Sequence, residues 1–389
     1  MNGQLHGQWY RGGTSKCWLF MGDEMPTDRA QIAHALTAAF GSGDDRQLNG
    51  IGGASSTTSK AAIISPSAIP GIDISYLFAQ VGIGRSAVEF TSNCGNCASA
   101  VALFAIQNGL VRPTGDLTTV RMINENTRSV LAAEVATPGR TVPHDGHETI
   151  PGSTMPGIPV DVCFEGVDGT STGELLPTGK PVETLPVGSR SVRVTGIDAG
   201  APACFVAAAD LGMTATETQA EMRLRLPELI GIRELASAAM GLTLPGEEVS
   251  PAVPKVGILG QPCEYTTTTG ERIDASDYDI AVRMVSMFDP HPAIGITSAI
   301  AAARAAFVEG SLVRDLIDPD RLDLVDGQGL IRLGTPVGVV ACRVQVDSEG
   351  DVIRLGIRRV ARRIANAAID LPEIDLAVAH PDSTLPLVG

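Results

Sequence analysis

Three short stretches carry residues whose types and spacing can do chemistry. TSNCGNCASA (91–100) puts two cysteines, two asparagines and a glycine just before an apolar helix. Such a start suits a metal half-site, a redox pair or an anion cradle beside a catalytic thiol. Structural zinc needs four ligands. The chain has no second CxxC, and its six histidines form no knuckle, so no metal is expected. The signals of a thioredoxin-like redox fold are missing as well. Cys97 begins the apolar run and reads as a buried thiol. Cys94 lies one step earlier, where backbone N–H groups lack partners. That position lowers a thiol pKa and favours an anionic ligand.

RGGTSK (11–16) pairs two glycines with two hydroxyls and a lysine, a composition that builds an N–H and O–H nest for a carboxylate or phosphate. GxxxxGK spacing is absent, so it is not a nucleotide loop. GIGGASSTTSK (50–60), entered from Asn49, repeats the chemistry and ends on Lys60. Each stretch alone is also compatible with a plain surface turn. Taken together, two cradles and a thiol at a helix start point to a polycarboxylate substrate. A lysine whose pKa is lowered by burial or cationic neighbours can take a proton beside a carboxylate. A thiol or helix terminus can then protonate or stabilise the delocalised anion. No nucleotide fingerprint is present, so no cofactor is expected.

The elements that must position these groups are legible in outline. Residues 17–20 and 61–65 read as strands, 29–40 and 97–108 as helices, the second stopped by Gly109. Residues 118–136 read as strands and 138–159 as a loop or broken strands. The stretch 190–207 is strand-rich; 219–240, 276–288 and 297–308 read as helices, 241–255 as a linker, and 337–360 as strands. In the helical reading of 276–288, Arg283 either pairs with Asp279 one turn earlier or grips a substrate carboxylate. His291, between two prolines, reads as structural or catalytic. CGNCASAVALFAIQNGLV (94–111) aligns with GITSAIAAARAAFVEGSL (295–312), displaced by 201 residues, with Gly109 on Gly310 and Cys94 on Gly295. This predicts two similarly built halves.

The bulk numbers set bounds. At 389 residues two domains are the prior, here divided as 1–187 and 188–389, with a C-terminal tail that can return to the first. A 44% hydrophobic and 19% charged composition is globular. A formal charge of −15 excludes nucleic acid and an anionic membrane surface as partners, but not a small anionic substrate. Seven scattered cysteines are no disulfide framework. With no targeting pattern or membrane span, a cytoplasmic location is expected, and a homodimer is plausible on symmetry grounds.

In chain order, RGGTSK, LNGIGGASSTTSK (48–60), IDISYLFAQV (72–81), SNCGN (92–96), DAGAPACFV (198–206), YTTTTG (265–270), VRMVSM (282–287) and RRVARR (358–363) resemble the PrpF-type isomerases over nearly the whole chain. That family includes 2-methylaconitate, 3-methylitaconate and 4-oxalomesaconate isomerases. The resemblance implies an α+β, diaminopimelate epimerase-like fold. It has two similar, mostly β domains, each wrapped around a central helix, with the active site between them. The helices would begin near Asn96 and Thr297. It further implies a cofactor-independent double-bond shift or cis–trans change on a small unsaturated di- or tricarboxylate, with Lys60 leading proton transfer and Cys94 assisting. Candidate substrate-binding residues are Thr14, Ser15, Ser55, Ser56, Asn93, Gly95, Asn96, Arg283 and Thr297. A racemase or a non-catalytic carboxylate binder are the alternatives. The chain departs from the family at several points. Gly295 stands where related epimerases carry a second cysteine. GTPVG (334–338) replaces GHPSG, through Thr335 and Val337, and ITSA (296–299) replaces GTGA. Cys97 stands where leucine is common.

Overall fold

A computed structural model describes residues 3–90, 93–322 and 324–372. The chain forms two compact units, Met1–Val162 with Arg359–Gly389, and Cys163–Arg358. The first holds β1 (Gln4–Gly12), β2 (Ser15–Met21), α1 (Arg29–Phe40), β3 (Lys60–Pro66), β4 (Ile74–Val81), β5 (Val88–Glu89), α2 (Gly95–Gln107), β6 (Leu117–Asn124), β7 (Val130–Ala136), β8 (Glu148–Ile150) and most of β9 (Ser153–Glu165). The second holds β10 (Glu183–Val187), β11 (Arg190–Asp198), β12 (Pro202–Ala207), α3 (Gln219–Ala239), β13 (Lys255–Gly260), β14 (Tyr265–Thr266), β15 (Arg272–Ile273), β16 (Ile280–Ser286), β17 (Asp289–Pro290), α4 (Ile296–Ala305), α5 (Leu312–Leu316), β18 (Gln328–Thr335) and β19 (Gly338–Val346). The long last strand, β20 (Val352–Asp370), supplies both: its end from Ala361 pairs with β1, its beginning with β19.

The two units repeat one strand order. In the first, β1–β2 is antiparallel, β2–β3 parallel, β3–β4 antiparallel, β4–β6 parallel and β6–β7 antiparallel. In the second, β11–β12, β12–β13, β13–β16, β16–β18 and β18–β19 follow the same alternation. The parallel steps need crossover connections, and helices supply them. Thus α1 and α3 occupy one equivalent place, α2 and α4 another.

In the first unit α2 packs against β1, β2, β3, β6 and β7. It is buried on every side: Gly95 and all of Cys97–Ile106 lack appreciable exposure. Its small residues, Ala98, Ser99, Ala100 and Ala102, let the strands approach closely. A helix apolar all round belongs inside. α4 of the second unit is equally buried and packs on β11, β12 and β19. The N-caps of α2 and α4 are Cys94 and Gly295, the pair aligned by the 201-residue displacement. The outer helices cover apolar faces. α1, capped by Asp28 and stopped at Gly41 (φ +64°), places Ile32, Leu36 and Phe40 against Trp18, Phe20, Ile63 and Leu77. α3 opens with a Thr218–Glu221 capping box. Among the described residues no helix is long and apolar enough to cross a membrane.

One expectation is overturned. Residues 276–288 are not a helix but a 3₁₀ turn, Ala275–Asp277, followed by strand β16. Ile280–Val285 are buried on both faces, so the alternation that marks a half-exposed strand is missing. The stretch 138–159 contains a 3₁₀ turn, β8 and the start of β9.

Candidate active site

The three stretches singled out by chemistry converge in the first unit. RGGTSK is the β1–β2 hairpin turn, with Gly12 opposite Ser15. Gly13 has φ +53°, and a Cβ there would lie 2.1 Å from Asn96 Oδ1; one on Gly12 would lie 2.2 Å from the Asn96 carbonyl oxygen. The glycines therefore exist to let this turn press against the first turn of α2. Asn96 Nδ2 donates to Thr14 Oγ1 at 3.1 Å, while Asn96 Oδ1 is buried without a protein partner. Lys16 N–H donates to the Thr57 carbonyl at 2.9 Å, tying the turn to the serine-rich loop. The Lys16 ammonium lies over the Trp9 ring, 4.5 Å from its centroid. Ser15 is buried.

The 50–60 loop is organised by a residue that the sequence reading passed over. Gln47 is 2% exposed, with φ +49°. Its Oε1 accepts from Ala54 N–H (2.8 Å) and Ser59 Oγ (2.6 Å), and its Nε2 donates to the Gly82 carbonyl (3.2 Å). Ser55 Oγ shares hydrogen bonds with the Thr57 and Thr58 hydroxyls. Ser56 is exposed. The loop delivers Lys60 as the first residue of β3, where its ammonium meets Gln80 Oε1 at 2.5 Å and the Phe78 ring at 5.2 Å.

Cys94 is part-buried at the N-cap of α2, and no side chain caps that helix. The first-turn N–H groups of α2, from Gly95 on, have no intrahelical acceptor. The expectation that the helix start lowers the Cys94 pKa fails. A hydrogen bond with the Cys97 thiol and burial push it well above the ordinary thiol range, although the nearby Lys60 charge opposes them. Burial and a bond with Cys17 of β2 push Cys97 up too. Cys17 of β2 thus acts on Cys97 and Cys97 on Cys94, and the raised pKa keeps Cys94 in its thiol form. Asn93 is held from below: Tyr76 OH donates to its Oδ1 at 2.9 Å and Asn124 Nδ2 at 3.4 Å. Its amide NH₂ is the end left to face a ligand.

Two candidates lie in the second unit. Arg283, on β16 rather than a helix, is 2% exposed. Its Nε donates to the Glu217 carbonyl (3.0 Å) and its Nη1 to the carbonyls of Val282 (2.8 Å) and Gly334 (3.1 Å), with the Tyr265 ring 5.0 Å away. Its expected partner, Asp279, is engaged instead by Arg321 and Arg332. Burial lowers the Arg283 pKa. Thr297 is the second residue of α4 and buried. His291 Nδ1 accepts from Ala293 N–H at 3.0 Å. Thr335 Oγ1 donates to the Gly338 carbonyl at 2.7 Å, closing the β18–β19 turn. Among the described residues no cluster of three or more His, Cys, Asp or Glu side chains is placed to hold a metal.

The first unit therefore joins Thr14 to Asn96 and Lys16 to Thr57, and brings Lys60 near enough to Cys94 for its charge to act on the thiol. The model of the family described as "PrpF protein" matches residues 4–372. The chain belongs to the PrpF family. A (4E)-oxalomesaconate Delta-isomerase of Novosphingobium sp. (strain KA1) is 32% identical over 362 residues, covering 93% of this chain and 96% of that one. The crystal structure of a methylitaconate-delta-isomerase superposes with a TM-score of 0.83 at 31% identity, covering 97% and 99%. A hydroxyproline epimerase from Agrobacterium vitis shares the fold alone, with a TM-score of 0.51 at 11% identity over 95% and 94%. This PrpF protein is an isomerase with the epimerase-like α+β fold.

Proposed function

We propose that this PrpF protein isomerises a small unsaturated di- or tricarboxylate, of the methylitaconate, oxalomesaconate or aconitate kind, by moving one proton through a delocalised anion. The observation that supports the reading is that Lys60 lies near enough to Cys94 for its charge to act on the thiol. An amine and a thiol that stays protonated share one neighbourhood, so one can take a proton while the other gives one. Lys60 abstracts a proton from a carbon made acidic by an adjacent carboxylate and double bond. The electron pair spreads over the allylic system. Cys94 or water returns a proton at the far carbon, or at the same carbon after rotation. Thr14, Asn93, Asn96 and the N–H groups opening α2 suit the substrate's carboxylates, because a helix N-terminus favours negative charge.

A racemase using two thiols finds no support, since the N-cap of α4 is Gly295. A cytoplasmic homodimer belongs to the same reading, and light scattering on the purified protein tests the dimer. The activity is tested by proton NMR in deuterated buffer with methylitaconate, oxalomesaconate, cis- and trans-aconitate and methylaconitate. Deuterium incorporation with a displaced double bond on one acid is the expected result. Tight binding of an acid with no exchange in any of them would sink the catalytic reading in favour of a carboxylate-binding protein.

A further inference from the structure

We infer that Gln80 is a positioning residue for Lys60, an uncharged acceptor that aims the amine without holding it in its charged form. The inference rests on the reading of Lys60 as the proton-transferring base. Lys60 and Gln80 are direct cross-strand partners on β3 and β4, so both side chains stand on one face of the sheet. Gln80 Nε2 donates to the Ser59 carbonyl at 2.9 Å. That bond decides which way the amide points, because the flipped form would set NH₂ against the ammonium and oxygen against the Ser59 oxygen. Only Oε1 is left for Lys60, and it sits 2.5 Å from Nζ.

An amide oxygen accepts an N–H from either the ammonium or the neutral amine. A carboxylate in its place would favour the ammonium and so oppose a base. The row continues to Glu89 of β5, the partner of Gln80 on its other side, so the glutamine stands between the lysine and a carboxyl residue. Among the described residues, the Phe78 ring on β4 also lies by Lys60, and the Cys94 and Cys97 thiols feel its charge. On the β4 side the amine is held by the Gln80 oxygen and the Phe78 ring face.

The test uses the full chain, whose only lysines are Lys16, Lys60, Lys180 and Lys255. NMR of [¹³Cε]lysine protein therefore gives four signals, and Lys60→Arg assigns the relevant one. In Gln80→Glu the Lys60 ¹³Cε signal should move away from its wild-type position, because a carboxylate replaces the amide beside the amine. In Gln80→Leu its signal should move toward that of exposed Lys180. With methylitaconate and oxalomesaconate in deuterated buffer, Gln80→Leu should lower kcat about 10- to 100-fold with KM little changed. Gln80→Glu should shift the acid limb of the kcat profile upward. A merely structural role would lower Tm and rate together and leave that limb in place. Gln80→Asn replaces the leucine variant if that one does not fold. A Lys60 signal identical in wild type and both variants overturns the inference. So does full activity in Gln80→Leu when Lys60→Met is dead. Turnover that survives Lys60→Met instead overturns Lys60 as the base, and the NMR arm still decides the contact.

Discussion

The Tyr76 hydroxyl, on a fully buried side chain, donates to Asn93 Oδ1 at 2.9 Å. With Asn124 on the same oxygen, the Asn93 amide can present only its NH₂ to a ligand. Tyr76→Phe removes the stronger constraint and one buried hydrogen bond. Stability should fall by about 0.5–1.5 kcal/mol in urea denaturation. KM should rise more than kcat falls, because the loss is in carboxylate binding; an unchanged KM would detach Asn93 from the substrate.

Lys60→Ala or Lys60→Met should abolish turnover while leaving far-UV CD and Tm near wild type. The side chain is only part-buried at the start of β3, so little packing is lost. Residual wild-type turnover on the true substrate would remove Lys60 as the base.

Cys94→Ala should cost about 10²–10⁴-fold in kcat if the thiol is the returning acid. Because its pKa lies above the ordinary thiol range, Cys94 should react slowly with iodoacetamide at pH 7.5. Labelling should accelerate only well into alkaline solution. Rapid labelling at neutral pH would show a thiolate and reverse the acid–base assignment.

Gly13→Ala should destabilise the first unit by about 1–3 kcal/mol from left-handed backbone alone. The new Cβ would also displace Asn96 Oδ1, only 2.1 Å away. Activity should fall with stability, read together by Tm and by exchange in deuterated buffer. A silent variant would mean that the turn does not seat Asn96.

Alkaline solution should loosen the fold. Cys94 and Cys97 are pushed up and Cys204 reaches about 12. Between the unfolded and folded values the native chain keeps protons that the unfolded chain has released. That stabilisation is complete below about pH 8.5 and is lost as pH rises, by up to about 1.4 kcal/mol per pH unit for each thiol. Tm measured from pH 7 to 10.5 should fall past that point, and Cys204→Ala should flatten the fall.

The sequence reading located the three chemical segments because glycine, hydroxyl and thiol residues cluster there without periodicity. It matched the two central helices because alanine-rich runs between glycines stay legible when buried all round. β16 was not legible, because its doubly buried run hides the two-residue period, and the helical Arg283–Asp279 pairing, one of two readings of Arg283, goes with it. Gln47, Tyr76, Gln80 and Asn124 escaped for a different reason. Each acts through a partner distant in sequence, and neither composition nor spacing records a hydrogen bond across strands. Gln80 does lie within IDISYLFAQV, so hairpin pairing with the 60–66 strand was the one signal that could have exposed it. The Cys94 pKa was not legible either, because a helix start alone does not reveal the bond to the Cys97 thiol.

The pairing of β1 with the end of β20 sets an order of events at the ribosome. Gln4 and Asp370, joined by a side-chain hydrogen bond, are 366 residues apart. At about 5–20 residues per second, β1 waits roughly 20–70 s for this partner to be synthesised. Until then the unit bearing Lys60 and Cys94 shows an open strand edge, while the second unit can assemble around α4 as soon as its own strands have left the tunnel. The half of the enzyme made first is thus the half completed last. Nascent chains cut before β20 would leave that edge of β1 unpaired.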